Sequence, residues 1–217
     1  MPVTVHAPGI VPVPGELLAR WRKVPVSVAV DLAPERQIDP LVRPLRPAGQ
    51  QSDLFGRAVT ARCAPPDFGS VLHAVGAIGP GEVLVIDAGG DARAAVIGDV
   101  LGGELHRKRV AGLVCDGAVR DTAGLAAMAG LAVYSRAINP RGPDSAEGGE
   151  VNGPVSIGGC TVAPGDLVVG DGDGLVALPP ALLASLIDAA EAKLALEAEW
   201  RARLAAGEAI TAIFGLP

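Results

Sequence analysis

Strands alternating with helices predict an α/β fold of parallel βαβ units, closed by a long C-terminal helix. Three observations carry that prediction. The apolar runs "VLVID" and "GLVCDG" are bounded by glycine and by helical segments, as buried parallel strands are. Ala, Val, Leu and Gly dominate while only 3% of residues are aromatic, which suits close packing of helices on a sheet. The last helical pattern runs from about Pro180 to Ala206 without a breaker.

Residues 1–14, rich in Pro and Val, read as an extended arm, and "GELLARWRKV" as a short helix. Together residues 1–24 form an N-terminal attachment. "VPVSVAVDLA" alternates and reads as a strand. "PERQIDPLVRPLRPAGQQSD" carries four prolines and reads as a loop. "GRAVTARC" is a strand, and "DFGSVLHAVGAI" a helix with Asp67 as its N-cap. "GPGEVLVIDAGG" gives a turn, a strand and a glycine-rich exit. "GDVLGGELHRKR", "VAGLVCDG", "RDTAGLAAMAG" and "LAVYSRAI" continue as helix, strand, helix and strand. After the polar loop "NPRGPDSAEGGEVNG", the runs "PVSIGGCTV", "DLVVGDGDG" and "LVALP" are short strands joined by tight turns. No linker divides the chain, so one domain over residues 1–217 is expected, with 180–217 as its C-terminal helix and tail.

Composition narrows the function. Charged residues make up 19% and hydrophobic ones 49%, the balance of a globular chain. The net charge of −6, without a basic block, argues against a nucleic-acid surface. No apolar run reaches the ~18 residues of a membrane span. "MPVTVHAPGIVPVPG" lacks a basic region followed by an apolar core, so a cytoplasmic location is expected. Cys63, Cys115 and Cys160 are widely spaced in apolar runs and read as buried free thiols. His6, His73 and His106 fall outside every motif.

In open α/β sheets ligands gather beyond the carboxyl ends of strands. Two such ends stand out. One strand ends near Asp87, and after its glycines a helix begins at Gly98, whose first N–H groups through Val100 and Leu101 form an anion site. The next exit, "CDGAVRD", carries Asp116, Arg120 and Asp121. Neighbouring exits face one pocket. It would offer backbone donors at Gly98–Leu101 for a carboxylate and Arg120 for a second anionic oxygen. Asp99, Asp116 and Asp121 would serve a hard cation such as Mg²⁺. The same residues also fit a plainer arrangement, with Asp121 as a helix N-cap and Arg120 paired to a surface acid; spacing leaves both open. On the last helix Leu183, Ile187, Ala190, Leu194, Glu197 and Arg201 share one face. Glu197 stands where an apolar residue is due. Either it pairs with Arg201 at i,i+4, or it reaches the site of a neighbouring subunit.

These residues carry a resemblance. Asp99, twenty residues and then Arg120-Asp121 form a D-x20-R-D arrangement. "VSIGGCTVAPGDLVVGDGDGLVALP" resembles a GG-x-V-x-PGD-x-V-x-x-D-x-DG-V block, and "GRAVTARC" and "GPGEVLVIDAGG" match upstream. The chain is similar, over roughly residues 25–210, to the family that joins 4-hydroxy-4-methyl-2-oxoglutarate aldolase with the regulator of ribonuclease E activity A (RraA-like). The resemblance implies a β-β-α sandwich assembled as trimers or hexamers, with the site near a subunit interface. It implies a class II pyruvate aldolase that needs Mg²⁺ or Mn²⁺, acts on a small 2-oxo acid and decarboxylates oxaloacetate. Asp121 would bind the metal, Arg120 would contact the pyruvyl group and stabilise its enolate, and Asp99 would hold metal-bound water. Gly98, Asp99, Val100 and Leu101 would receive the carboxylate, and Glu197 would be the acid that such aldolases take from the adjacent chain. It also places "VPVSVAVDLA" in a helix, and that expectation replaces the strand. A non-catalytic regulator of the ribonuclease E type is the alternative, and another lyase or a hydrolase on the same metal site a third.

Overall fold

The structure is a computed structural model that describes residues 2–216; Met1 and Pro217 lie outside the described residues. The chain opens with β1 (Thr4–Val5), α1 (Gly15–Trp21) and α2 (Val26–Leu32), then a 3-10 turn at Pro34–Arg36 and β2 (Arg43–Pro44). The stretch with alternating valines is therefore helix α2. Seven residues are too few for period two and period 3.6 to be told apart by valine positions. Tertiary contacts decide: Val26, Val28 and Ala29 are buried against the long C-terminal helix (Pro180–Ala205) and the strand before it (Leu175–Leu178), and the Val26 N–H donates to Asp171 Oδ2 at 3.1 Å.

The centre follows the expected alternation: β3 (Leu54–Arg62), α3 (Gly69–Ala77), β4 (Val83–Asp87), β5 (Ala95–Ile97), α4 (Asp99–Arg107), β6 (Gly112–Val119), α5 (Thr122–Ala127) and β7 (Ala132–Ile138). Short strands complete the chain: β8 (Glu150–Val151), the hairpin β9 (Val155–Ile157) and β10 (Cys160–Val162), then β11 (Leu167–Gly170) and β12 (Leu175–Leu178). Helices α6 (Pro180–Ala205) and α7 (Ile210–Ile213) close it.

The main sheet has the order β1-β8-β3-β4-β6-β7-β2, with β5 added on β6 and β11-β12 added on β3. Its core, β3-β4-β6-β7, is parallel throughout. Every residue of β4 and β6 is buried, because both faces of the sheet are covered. Helices α3, α4 and α5 cover one face around Val71, Leu105 and Leu125. The β9-β10 hairpin covers the other, where Val155, Ile157 and Val162 meet Val85, Val114 and Tyr134. A third cluster joins α1, α2 and the first half of α6 to β11 and β12. In it Trp21 is fully buried, and its indole N–H donates to the Leu183 carbonyl at 3.0 Å. Left unpaired, that N–H would cost about 1–3 kcal/mol. The layering is the β-β-α sandwich expected, with parallel βαβ units and a long C-terminal helix.

Two further features position the site. In β6 the register slips between Cys115 and Ala118, where three steps of chain oppose the two steps from Ser135 to Ala137 of β7. This bulge carries one extra residue. Helix α6, with 26 residues and a length of about 39 Å, buries only Leu183, Ile187 and Ala190. Its far half leaves the body and is capped by α7, where Phe214 stacks on Trp200 with centroids 4.7 Å apart. All three cysteines are buried and free, as expected, and burial raises each thiol's pKa, for Cys63 to about 12.

Candidate active site

A cleft of about 420 Å³ opens where β5 and β6 end and α4 begins. Its wall combines the turn Gly98, Val100 and Leu101 with Arg120 and Asp121; α3 adds Leu72. The two neighbouring strand exits thus face one pocket. A hydrogen bond from the Arg120 N–H to the Ile97 carbonyl, 3.0 Å, ties them together.

Gly98 precedes α4 and is buried; a Cβ there would collide with Asp121 Oδ2 and lie 2.9 Å from Arg120 Cγ. Only glycine lets both side chains reach the helix N-terminus. Gly142 does the same from the loop side, since a Cβ there would strike Arg120 Nη1. The first N–H groups of α4 have no partner within the helix, and its dipole adds partial positive charge at this end. Val100 is 80% exposed on that turn.

Asp121 occupies the N-cap position of α5 but makes no side-chain cap bond. Its backbone is left-handed, φ 53° and ψ 43°. Such a conformation costs a residue other than glycine on the order of 1 kcal/mol, Asp less than most. The carboxylate is 42% exposed and lies 3.4 Å from Arg120 Nε. The plain capping arrangement is therefore not what forms: position 121 is a cap in sequence, while its carboxylate stays with Arg120. Arg120 likewise pairs with its neighbour and not with a distant surface acid.

The other predicted residues are placed differently. Asp99 starts α4 and is half-buried outside the cleft's lining; a Cβ on Gly124 of α5 would stand 2.7 Å from its Cβ. Asp116, expected as a cation ligand, is not in the site. It points to the opposite face of β6, accepts the Gly158 N–H at 2.7 Å and pairs with Arg136. Arg136 also bonds Asp39 at 3.0 Å, and the Asp116 carboxylate is the main cause of its raised pKa. Asp87, at the neighbouring exit, accepts from Gly89 and Ser156 and is buried. Within one chain Glu197 lies on α6, away from the cleft's lining, 2.8 Å from Arg201.

The polar loop after β7 supplies a further wall. Pro143 and Gly142 bring the loop 139–149 against Arg120. Asp67 pins that loop: it accepts N–H bonds from Glu147 at 2.8 Å and Gly148 at 3.1 Å, and a hydroxyl bond from Ser145. It stands one residue before the actual N-cap, Phe68, and also accepts the Gly69 N–H at 2.9 Å. Burial opposes its ionisation, but these four bonds outweigh it and hold its pKa near 2. Asp67 thus fastens the loop as well as α3.

Oxygen ligands suit a hard divalent cation, and Mg²⁺ commonly takes only one or two carboxylates plus water. A half-exposed Asp121 carboxylate beside an open cleft fits that pattern. No group of three or more His, Cys, Asp or Glu side chains forms a metal cluster among the described residues. None of their helices is long and apolar enough to cross a membrane.

The profile of one family, described as Aldolase/RraA, matches residues 25–177. A protein of Halalkalibacterium halodurans named "Putative 4-hydroxy-4-methyl-2-oxoglutarate aldolase" is 31% identical over 180 residues, covering 83% of this chain and 84% of that one. Among solved structures, the RNA-processing inhibitor RraA from Thermus thermophilis is similar with a TM-score of 0.65 and 31% identity, over 72% of this chain and 93% of that one. RraAS2 of Streptomyces coelicolor, an unusual member of the RNase ES inhibitor RraA protein family, is similar with a TM-score of 0.74 and 27% identity, over 88% and 98%.

Proposed function

The chain belongs to the Aldolase/RraA family, and from that premise we propose that it is a divalent-metal-dependent lyase that splits 4-hydroxy-2-oxo acids to pyruvate. Oxaloacetate decarboxylation would be a second activity of the same site. One observation carries the reading: Arg120 and Asp121 converge on the N-terminus of α4 at the mouth of a cleft, held there by a glycine at position 98. The aldolase name carried by the H. halodurans relative supports it.

In this reading the α4 N-terminus and Arg120 bind the substrate's carboxylate and 2-oxo oxygen. Asp121 would be the cation's ligand, and Asp99, at the start of α4, would act on water around it. When bound, Mg²⁺ or Mn²⁺ supplies Lewis-acid polarisation of the 2-oxo group. The C4 hydroxyl gives its proton to a water in the open cleft, the C3–C4 bond breaks, and the C4 oxygen becomes the carbonyl of the departing aldehyde or ketone. The bonding pair stays with C3 as the pyruvate enolate. Arg120, 41% exposed and lining the cleft, would stabilise the oxygen on which that charge develops. Protonation at C3 yields pyruvate. With oxaloacetate the departing group is CO₂ and the enolate is the same. None of this needs a Schiff-base lysine, and none lines the cleft.

The test is pyruvate release from oxaloacetate and from 4-hydroxy-4-methyl-2-oxoglutarate, with Mg²⁺ and then with EDTA, in the wild type and in Asp121→Ala. Turnover that needs both metal and Asp121 is the expected result. Absence of turnover in folded, metal-supplemented protein would shift the reading to a binding role. That role is suggested by similarity to a structure described as an RNA-processing inhibitor.

A further inference from the structure

Two glycines hold Arg120, one at its root and one at its head. A Cβ on Gly98 would lie 2.9 Å from Cγ. A Cβ on Gly142 would lie 3.0 Å from Cζ and strike Nη1. Gly98 is fixed by the helix it precedes, since its carbonyl accepts the Gly102 N–H at 2.9 Å. Gly142 has no such support, because it lies between β7 and β8 in a stretch without regular structure. Whatever fixes that stretch also fixes where the guanidinium stops.

Asp67 holds the far end of the loop, at residues 145–148. The near end is held through Asn139, the residue after β7. Its backbone N–H donates to the Val119 carbonyl at 3.0 Å, so strand pairing continues up to the residue before Arg120. Its side chain uses both ends of the amide. Oδ1 accepts the Arg141 N–H at 2.9 Å and closes an Asx turn over Pro140. Nδ2 donates to the Ala92 carbonyl, in the loop between β4 and β5, at 2.7 Å. The Arg141 carbonyl in turn accepts the Ala95 N–H of β5 at 2.7 Å. Arg141 is thus held at its N–H and at its carbonyl, and Gly142 follows it directly. An aspartate at 139 could accept but not donate, and an apolar side chain could do neither.

From this we infer that Asn139 is a positioning residue for Arg120, acting through the backbone of Arg141 and Gly142. Asn139 itself is not in the lining of the cleft. The inference rests on the lyase reading above and deepens it. Gly142 serves as a backstop that limits the travel of the guanidinium, so its fork stays toward the oxygen on which charge develops. A displacement of about 1 Å is enough to cost such a group on the order of 10²-fold in rate.

The test is a double-mutant cycle in the full chain with Mg²⁺, on the faster of oxaloacetate and 4-hydroxy-4-methyl-2-oxoglutarate. It compares the wild type, Asn139→Ala, Arg120→Lys and the pair. Asn139→Ala should lower kcat on the order of tenfold or more, with KM moved less. In the Arg120→Lys background there is no guanidinium for Gly142 to back, and the same change should cost no more than about twofold. Gly142→Ala is an independent probe that does not require Asn139→Ala to fold. Its backbone is not left-handed, and the nearest atoms its methyl would meet all belong to Arg120. It should show the same loss and the same non-additivity. Losses that multiply in the paired variants, or an unchanged kcat in both single ones, would overturn this inference and leave the lyase reading standing. No turnover of either substrate by the wild type would overturn both.

Discussion

Asp116 and Asp121 stand in one short stretch of chain, at the end of one strand, and are used in opposite ways. Asp116 is 6% exposed; its oxygens receive the Gly158 N–H and the Arg136 guanidinium. Asp121 is half-exposed, makes no cap bond and touches only the neighbouring Arg120 among charged groups. A carboxylate whose lone pairs are filled by the protein is scaffold. One held out of such bonds, at the cost of a left-handed backbone, is available to something that arrives from solution. The same contrast holds between the exits of β4 and β6, since Asp87 is also fully engaged by backbone N–H groups.

The sharpest way to break the comparison is to exchange the two fates. Asp121→Ala should lower pyruvate release on the order of 10³-fold while leaving the melting temperature within a few degrees, read by steady-state kinetics and calorimetry. Asp116→Ala should do the reverse. Leaving the Gly158 N–H without its acceptor, and Arg136 with Asp39 alone, costs about 1–3 kcal/mol, measurable by denaturant unfolding, with turnover retained by the folded fraction. Arg120→Lys keeps the charge but loses the planar fork, and should cost about 10²-fold in kcat. An unchanged kcat in that variant would argue that Arg120 does not touch substrate.

Asp67 gives a prediction in pH. Its folded-state pKa, near 2, lies below its ordinary value of 3.8, so its contribution to stability is complete above about pH 4 and is lost as pH falls toward 2. Asp67→Ala should cost about 1 kcal/mol at neutral pH and flatten the acid limb of the stability curve. A variant curve parallel to the wild type down to pH 2 would show that the loop is held by other means. The smallest effect is expected at Glu197. Glu197→Gln removes only a helical i,i+4 pair, about 0.3–0.5 kcal/mol. A fall in kcat out of proportion to that would place its carboxylate in a second copy's cleft.

Much of the fold was legible because β3, β4, β6 and β7 are apolar runs long enough to declare themselves. Strand β5 was not, since Ala95–Ile97 is three residues that become a strand only by pairing with β6. Helix α2 was masked by its valines and recovered only through resemblance. In the site, the convergence of Gly98, Arg120 and Asp121 followed from adjacency of parallel strands. The fate of Asp116 did not, because it depends on Gly158 and Arg136, brought in by other strands. The Gly142 contact was invisible for the same reason: a loop's path is set by what pins it, here an aspartate 75 residues earlier in the sequence than that glycine.

Strand β6 has a parity. Side chains along a strand alternate faces, so every residue from Cys115 to Val119 inherits its side by counting. The bulge adds one to that count. Removing a single residue there, Gly117 for instance, would leave the net charge and the two motif residues untouched. Everything beyond it would turn over. Val119, which now packs on the helix side, would turn to the hairpin side where Asp116 lies, and the exit that carries Arg120 and Asp121 would leave the strand rotated. The meeting of Arg120 and Asp121 at Gly98 depends on one inserted residue in the strand before them.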